Sequence, residues 1–148
     1  MGEVVEYPAA KLVTKTASCA RTELSETIGR LFGEMCSANP GMAVAGSPRI
    51  YYVEWGETEC TLMAGMPVAG DLEAGPGTEV KEMTGGQAFK KTYLGPYTGL
   101  AQAWQDAWTE ISAKGLQVAG PTWDDYVTDP GGEPDQSKWQ TDIYLTVA

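Results

Sequence analysis

The chain has 148 residues, a formal net charge of -10 and an apolar fraction of 43%. That length suits one domain or two small halves sharing a core, the charge argues against nucleic acid, whose phosphates call for a basic surface, and no apolar run approaches the ~20 residues of a membrane span. Histidine is absent, which removes Ser-His-Asp and Cys-His catalysis and His-ligated zinc.

The first residues, "MGEVVEYPAAKL", lack the basic-then-apolar character of a signal peptide, so a cytoplasmic protein is expected. "EVVEY" and "KLVTKTA" read as strands. Leu24, Ile28, Leu31, Phe32 and Met35 recur at helical spacing and predict a helix over roughly Thr22 to Ser37. Gly41 follows it closely, as glycine often does at a helix end. "RIYYVEW" and "TLMAGM" form a hairpin across the turn-rich "GETE". The segment "AGDLEAGPG" is a loop by composition. "EVKEM" and "AFKKTYL" are strands again, with Lys90-Lys91 read as a solvated strand edge. Leu100, Trp104, Ala107, Trp108 and Ile111 then predict a second helix, about Thr98 to Lys114, ended by Gly115. "WDDYV" and "TDIYLTV" close the chain, joined by the polar "DPGGEPDQSKW". Cys19, Cys36 and Cys60 are three and scattered, giving no disulfide framework; they are expected as reduced, partly buried thiols. No metal site and no cofactor are expected.

The order of elements runs twice. "EVVEYP" at Glu3 is echoed by "EVKEMT" at Glu79, Lys15-Thr16 by Lys91-Thr92, and "GMAVAGSPRIYYVEW" by "GLQVAGPTWDDYVTDP". With the two helix patterns these make four matches in one order, which predict an internal duplication, with halves of about 3–70 and 78–148 in a single domain spanning 1–148. The expected fold class is α+β: two halves related by a pseudo-twofold axis, one antiparallel sheet, two main helices, and a groove along the axis. The halves differ where Ile50-Tyr51 faces Asp124-Asp125.

"YLGPYTGLAQAWQDAW", "GLQVAGPTWDDYVTDP" and "WQTDIYLTV" resemble the GyrI-like effector-binding domains, the drug-binding domains of AraC-type and MerR-type regulators. The family pattern is matched in order at Tyr97, Gly120-Pro121, Asp124-Tyr126, Asp129-Pro130 and Thr141-Tyr144. The resemblance covers nearly the whole chain, and it is the ordered set that carries it. It implies tandem βαββ (SHS2-like) halves and a pocket for lipophilic, often cationic, small molecules. A buried glutamate on the acid-x-Tyr strand meets the ligand charge in drug-binding members; Asp124 stands there, one methylene shorter. Met63 departs too, where many members carry an acid ahead of the Gly-x-Pro-Val ending, here Gly65 to Val68. Regulators of the family also carry a DNA-binding domain, for which 148 residues leave no room, so a stand-alone form is expected.

Asp124 and Tyr126 are two apart and share a strand face, opposite Trp123, Asp125 and Val127. From the residues alone Asp124 reads as a turn cap or a solvated acid; the resemblance favours a counter-ion to a ligand cation. Tyr97 is either a pocket wall or an aromatic staple at the helix start. Trp104 stands where the first half has Ile28, near the axis, and is open between packing and ligand contact. Trp108 reads first as core. Tyr51 and Tyr52 point to opposite faces of their strand, with Tyr52 placed in the groove as partner of Tyr126. The expected ligand-contacting set is Asp124, Tyr97, Tyr52, Trp104, Tyr126, Tyr51, Trp108 and Met63. Asp142 and Tyr144 are assigned to strand pairing and packing as readily as to contact, and Asp125 and Asp129 to surface or turn roles. The function these residues point to is binding of lipophilic, cationic aromatic compounds. The alternative is hydrolysis of reactive cyclopropane-bearing toxins, known of some GyrI-like proteins, with Asp124 orienting a water and Tyr97 or Tyr52 donating. A protein-binding inhibitor ranks below both.

Overall fold

The computed structural model describes residues 2–129 and 131–148; Pro130 of the Asp129-Pro130 motif lies outside the described residues. The elements in chain order are β1 (Glu3–Tyr7), β2 (Ala10–Ala20), α1 (Leu24–Ala38), β3 (Arg49–Trp55), β4 (Glu59–Pro67), β5 (Glu79–Met83), β6 (Gly86–Leu94), α2 (Leu100–Ala113), β7 (Val118–Tyr126) and β8 (Gln140–Val147). A short 3₁₀ turn leads into each helix, at Arg21–Glu23 and Tyr97–Gly99. The class is α+β, as read from the sequence. No helix among the described residues is long and apolar enough to cross a membrane.

Two compact units divide the chain. The first takes the N-terminal residues through Pro8 together with Gly85–Ala148; the second is Ala9–Thr84. In the first, the strands run β1-β6-β8-β7, each antiparallel to its neighbour. In the second, the order is β5-β2-β4-β3, again antiparallel throughout. The units are therefore not the sequential halves. Glu3 faces Lys90 and Tyr7 faces Gly86, while Ala10 faces Met83 and Thr14 faces Glu79. Each unit draws its outer strand from the other half of the sequence.

This exchange corrects the reading of Lys90-Lys91 as a solvated edge, because β1 covers β6. Lys91 points toward α2 and pairs with Glu110, whose carboxylate also accepts from the Gly2 backbone N–H at 2.9 Å. Lys90 points to the other face and lies 3.6 Å from Asp142. The Lys91 hydrogen bond, then that from Gly2, holds the Glu110 carboxyl below the usual carboxylate range. A depressed native value stabilises the fold above the unfolded value and is lost as pH falls through the native one. We expect Glu110→Gln to cost about 1 kcal/mol at pH 7. The difference from wild type should shrink in urea titrations as pH falls below the ordinary glutamate value of about 4.3, and disappear once the native carboxyl is protonated as well.

α2 packs Ala103, Ala107 and Ile111 on Phe89, Ile143, Leu145 and Val147, with Leu100, Trp104, Leu116 and Val118 at the margin. The buried stripe is rotated from the one expected: Ala103 is inside, and Trp108 is 46% exposed rather than core. Small residues bring the helix close to the strands, which leaves no depth for an indole at position 108. The helix ends in a Schellman motif. The Gly115 N–H donates to Ser112 and the Leu116 N–H to Ile111, with Gly115 at φ 69°, a left-handed conformation natural to glycine.

In the second unit α1 buries Thr27, Leu31 and Met35. Its end is fixed by Asn39 rather than by Gly41. The Asn39 amide donates to the Met35 carbonyl and to Thr78, and its oxygen accepts from the Gly75 N–H at 2.8 Å. That draws the connecting loop onto the helix so closely that a side chain at Gly75 would overlap the Ala38 carbonyl.

Candidate functional site

Strand alternation sets the site in the first unit. Thr122, Asp124 and Tyr126 lie opposite Leu145, Ile143 and Thr141 of β8, and directly opposed residues share a face. Ile143 and Leu145 belong to the core under α2, so Asp124 points into that apolar layer and is 0% exposed. An ionised carboxylate there costs several kcal/mol unless donors meet it. The Trp104 indole N–H, reaching in from α2, donates to its Oδ1 at 2.7 Å. The Tyr126 hydroxyl stands 3.5 Å from Oδ2. An indole nitrogen only donates, so it matches an acceptor of this kind.

An aromatic wall continues from Tyr126. Tyr97 meets Tyr126 edge-on at 5.7 Å between centroids and packs tilted on Trp139 at 5.1 Å. Each ring is locally anchored. The Trp139 indole donates to the Glu133 carbonyl, and its own carbonyl accepts from Gly95. Tyr93 donates to the Pro96 carbonyl at 2.7 Å and lies under the Gly95–Gly99 bend that carries Tyr97. The Tyr97 ring is 39% exposed. Burial, then the nearby Asp129 charge, raises its hydroxyl above the ordinary tyrosine value, so it stays protonated at neutral pH. Asp129 itself accepts from the Gly131 N–H at 3.0 Å. The deep carboxylate, the facing rings and the half-exposed phenol thus lie together in this unit.

The opposite face of the same strands is structural. Trp123 is buried, stacked on Tyr144 at 4.8 Å and 6°, with Tyr7 against its edge at 5.2 Å. Asp142 accepts from Thr92 at 2.8 Å and Gln140 at 3.0 Å beside Lys90. An open cleft of about 300 Å³ lies here, lined by Gly2, Glu3, Lys90 and Thr92.

The structure thus brings Asp124, Trp104, Tyr126 and Tyr97 together and adds Trp139, which the sequence reading had passed over. Its signal was present: a tryptophan opening the final strand segment after a turn-rich run. Trp108 stands apart, on the exposed side of α2. In the second unit Tyr51 and Tyr52 do point to opposite faces. Lys15 on the α1 side pairs with Glu34, and Lys15, Ala64 and Ile50 are in register, which puts Tyr52 on the α1 face. There Tyr52 meets Trp55 edge-on at 5.8 Å, under the Arg21 guanidinium. Tyr51 is buried on the other face opposite Met63, accepting from Arg49 at 2.9 Å, and Lys81 approaches the Met63 sulfur at 3.6 Å. Among the described residues no group of three or more Cys, Asp or Glu side chains could hold a metal ion.

Antiparallel strands under a helix, with one buried acid among rings, describe a small-molecule-binding domain. The chain belongs to the GyrI-like small molecule binding domain family, whose model matches residues 3–148. Among solved structures it is similar to the EcmrR C-terminal domain, with a TM-score of 0.86 at 17% identity, covering 100% of this chain and 97% of that one. It spans 57% of the EcmrR chain seen in a complex with DNA. SAV2435 bound to tetraphenylphosphonium is similar at a TM-score of 0.69 and 13% identity, covering 100% and 94%. A hydrolase encoded by lin2189 from Listeria innocua follows at 0.63 and 10%, covering 99% and 91%. At these identities the likeness is one of fold. No curated protein matches the chain significantly.

Proposed function

We propose that this chain binds lipophilic aromatic cations, with Asp124 as counter-ion and Trp104, Tyr126, Tyr97 and Trp139 as the rings around it. The observation that carries the reading is a fully buried acid in the apolar layer under α2, met there by an indole and a phenol. Such a group is costly to keep for stability alone, and a desolvated cation regains from it part of the stabilisation lost with its hydration shell. Each ring adds roughly 0.5–2 kcal/mol of cation–π attraction. The tetraphenylphosphonium held by SAV2435 is a ligand of this chemistry. Because Asp124 is fully buried and bonded to the Trp104 indole, binding is expected to be coupled to movement of that ring.

Titrating tetraphenylphosphonium against tryptophan fluorescence tests the reading, with triphenylphosphine oxide as an uncharged analogue that keeps three of its four rings, compared against the methyltriphenylphosphonium cation, which also has three. Saturable binding of the cations and weaker binding of the oxide support it. Equal binding of the oxide and the three-ring cation would remove the counter-ion from the argument.

A further inference from the structure

Outside the aromatic site, the second unit carries a pair of nucleophilic side chains that the binding function does not use. Cys19 on β2 and Cys60 on β4 are direct register partners, and their sulfurs lie 3.7 Å apart. They are separated by 41 positions along the chain, a span that contains α1 and β3. Their surroundings are unequal. Cys60 is 2% exposed, and burial first, then the hydrogen bond with Cys19, pushes its thiol up to about 11. Cys19 is half-buried and open to solvent on one side. Arg21 is bonded through its backbone N–H to the Thr58 carbonyl and lies over Trp55, the β3 partner of Cys60. A cation therefore stands at this end of the strands, beside the dithiol pair.

We infer that Cys19 and Cys60 form a peroxide-sensitive dithiol that closes into a cross-strand disulfide, with Cys19 attacking and Cys60 resolving. In the first step the Cys19 thiolate attacks one oxygen of hydrogen peroxide. The O–O bond breaks, hydroxide leaves, and Cys19 becomes a sulfenic acid. In the second, the Cys60 sulfur attacks the Cys19 sulfur, the S–O bond breaks, and the departing hydroxide takes the Cys60 proton as water. Two thiols lose two electrons, and one peroxide is reduced to two waters. The sulfurs must close to about 2.05 Å. Directly paired strand residues hold their Cβ atoms ~4.5–5.5 Å apart, somewhat wider than an unstrained disulfide prefers. The bond is accordingly of the reducible, regulatory kind rather than a permanent staple. Cys36, exposed on α1, is the internal control.

The test treats the folded protein with a small excess of hydrogen peroxide and counts free thiols, followed by peptide mapping without reduction. The expected result is loss of two of the three thiols, a mass lower by two hydrogens, a Cys19–Cys60 peptide, and recovery with dithiothreitol. The crosslink should raise the melting temperature by roughly 5–10 °C. Cys36→Ser should behave as wild type. Cys60→Ala should leave a sulfenic acid at Cys19 that dimedone traps, and a circular dichroism spectrum checks that this variant folds. Unchanged Cys19 and Cys60 in wild type under the same treatment, or loss of their thiols without a Cys19–Cys60 peptide, would overturn the inference.

Discussion

Replacing Trp123 with alanine lowers the stability of the protein by about 4 kcal/mol, the usual loss for a large buried aromatic. For a chain of this size that is a fall in melting temperature of roughly 8–16 °C. Trp123 is 2% exposed, and its ring lies flat on Tyr144 and against the edge of Tyr7. The three rings come from β7, β8 and β1, and β1 is a five-residue strand paired on one side to β6. Truncation leaves a cavity and removes the contact that holds Tyr7 across the sheet. Trp123→Phe keeps a ring to stack and should cost less than half as much. Urea titrations at one temperature measure both variants, and a loss below 1 kcal/mol for the alanine would show that the layer closes over the gap.

The second large effect is on binding. Asp124→Asn should weaken tetraphenylphosphonium about 30-fold, or about 2 kcal/mol, while leaving triphenylphosphine oxide within threefold of wild type. The asparagine oxygen can still accept from the Trp104 indole, so the change isolates charge from shape. Stability should shift by less than about 1 kcal/mol and in either direction, because exchanging a buried charge for a neutral isostere also removes its desolvation cost. Weakened binding with intact stability is the signature of a counter-ion. A protein that loses stability while keeping its affinity for the cation would make Asp124 a structural acid. If product accumulates beyond one equivalent of protein with a reactive ligand, the site turns over and binding is only its first step.

Much of this was legible from residue patterns. Alternation along "WDDYV" put Asp124 and Tyr126 on one face and Trp123 and Asp125 on the other, and the register with β8 has that arrangement. Helix positions followed from the spacing of apolar residues to within one or two residues at each end. What alternation cannot rank is depth. It treated Trp108 as core and overlooked Ala103, because a large apolar side chain is a stronger hydrophobic signal than a small one, although a helix lying close on a sheet selects the small one. Lys90-Lys91 was misread for a different reason. "EVVEY" and "EVKEM" have nearly the same pattern, so nothing local says which of them pairs with β6 and which with β2. The Pro8-Ala9 link between β1 and β2 lacks the Asn-Gly or Gly-x chemistry of a two-residue hairpin, and that was the available clue. Trp139 was hidden because its role depends on a loop that folds back from Gly95, a contact with no periodic signature.

The traded outer strands also bear on how the molecule is made. β1 leaves the ribosome well before the segment it pairs with, since its partner β6 begins at Gly86. Closing a loop of that length costs roughly 4 kcal/mol in chain entropy before any ladder bond is gained. Folding should therefore be slow for the chain's size, as it is wherever distant pairings dominate. During synthesis β2, α1, β3 and β4 can assemble as soon as they emerge, and β5 completes their sheet without help from the N-terminus. β1 has no place there. It waits as an exposed "EVVEY" segment, kept from joining other chains by its two glutamates. The first of the eight strands in chain order is thus among the last to dock.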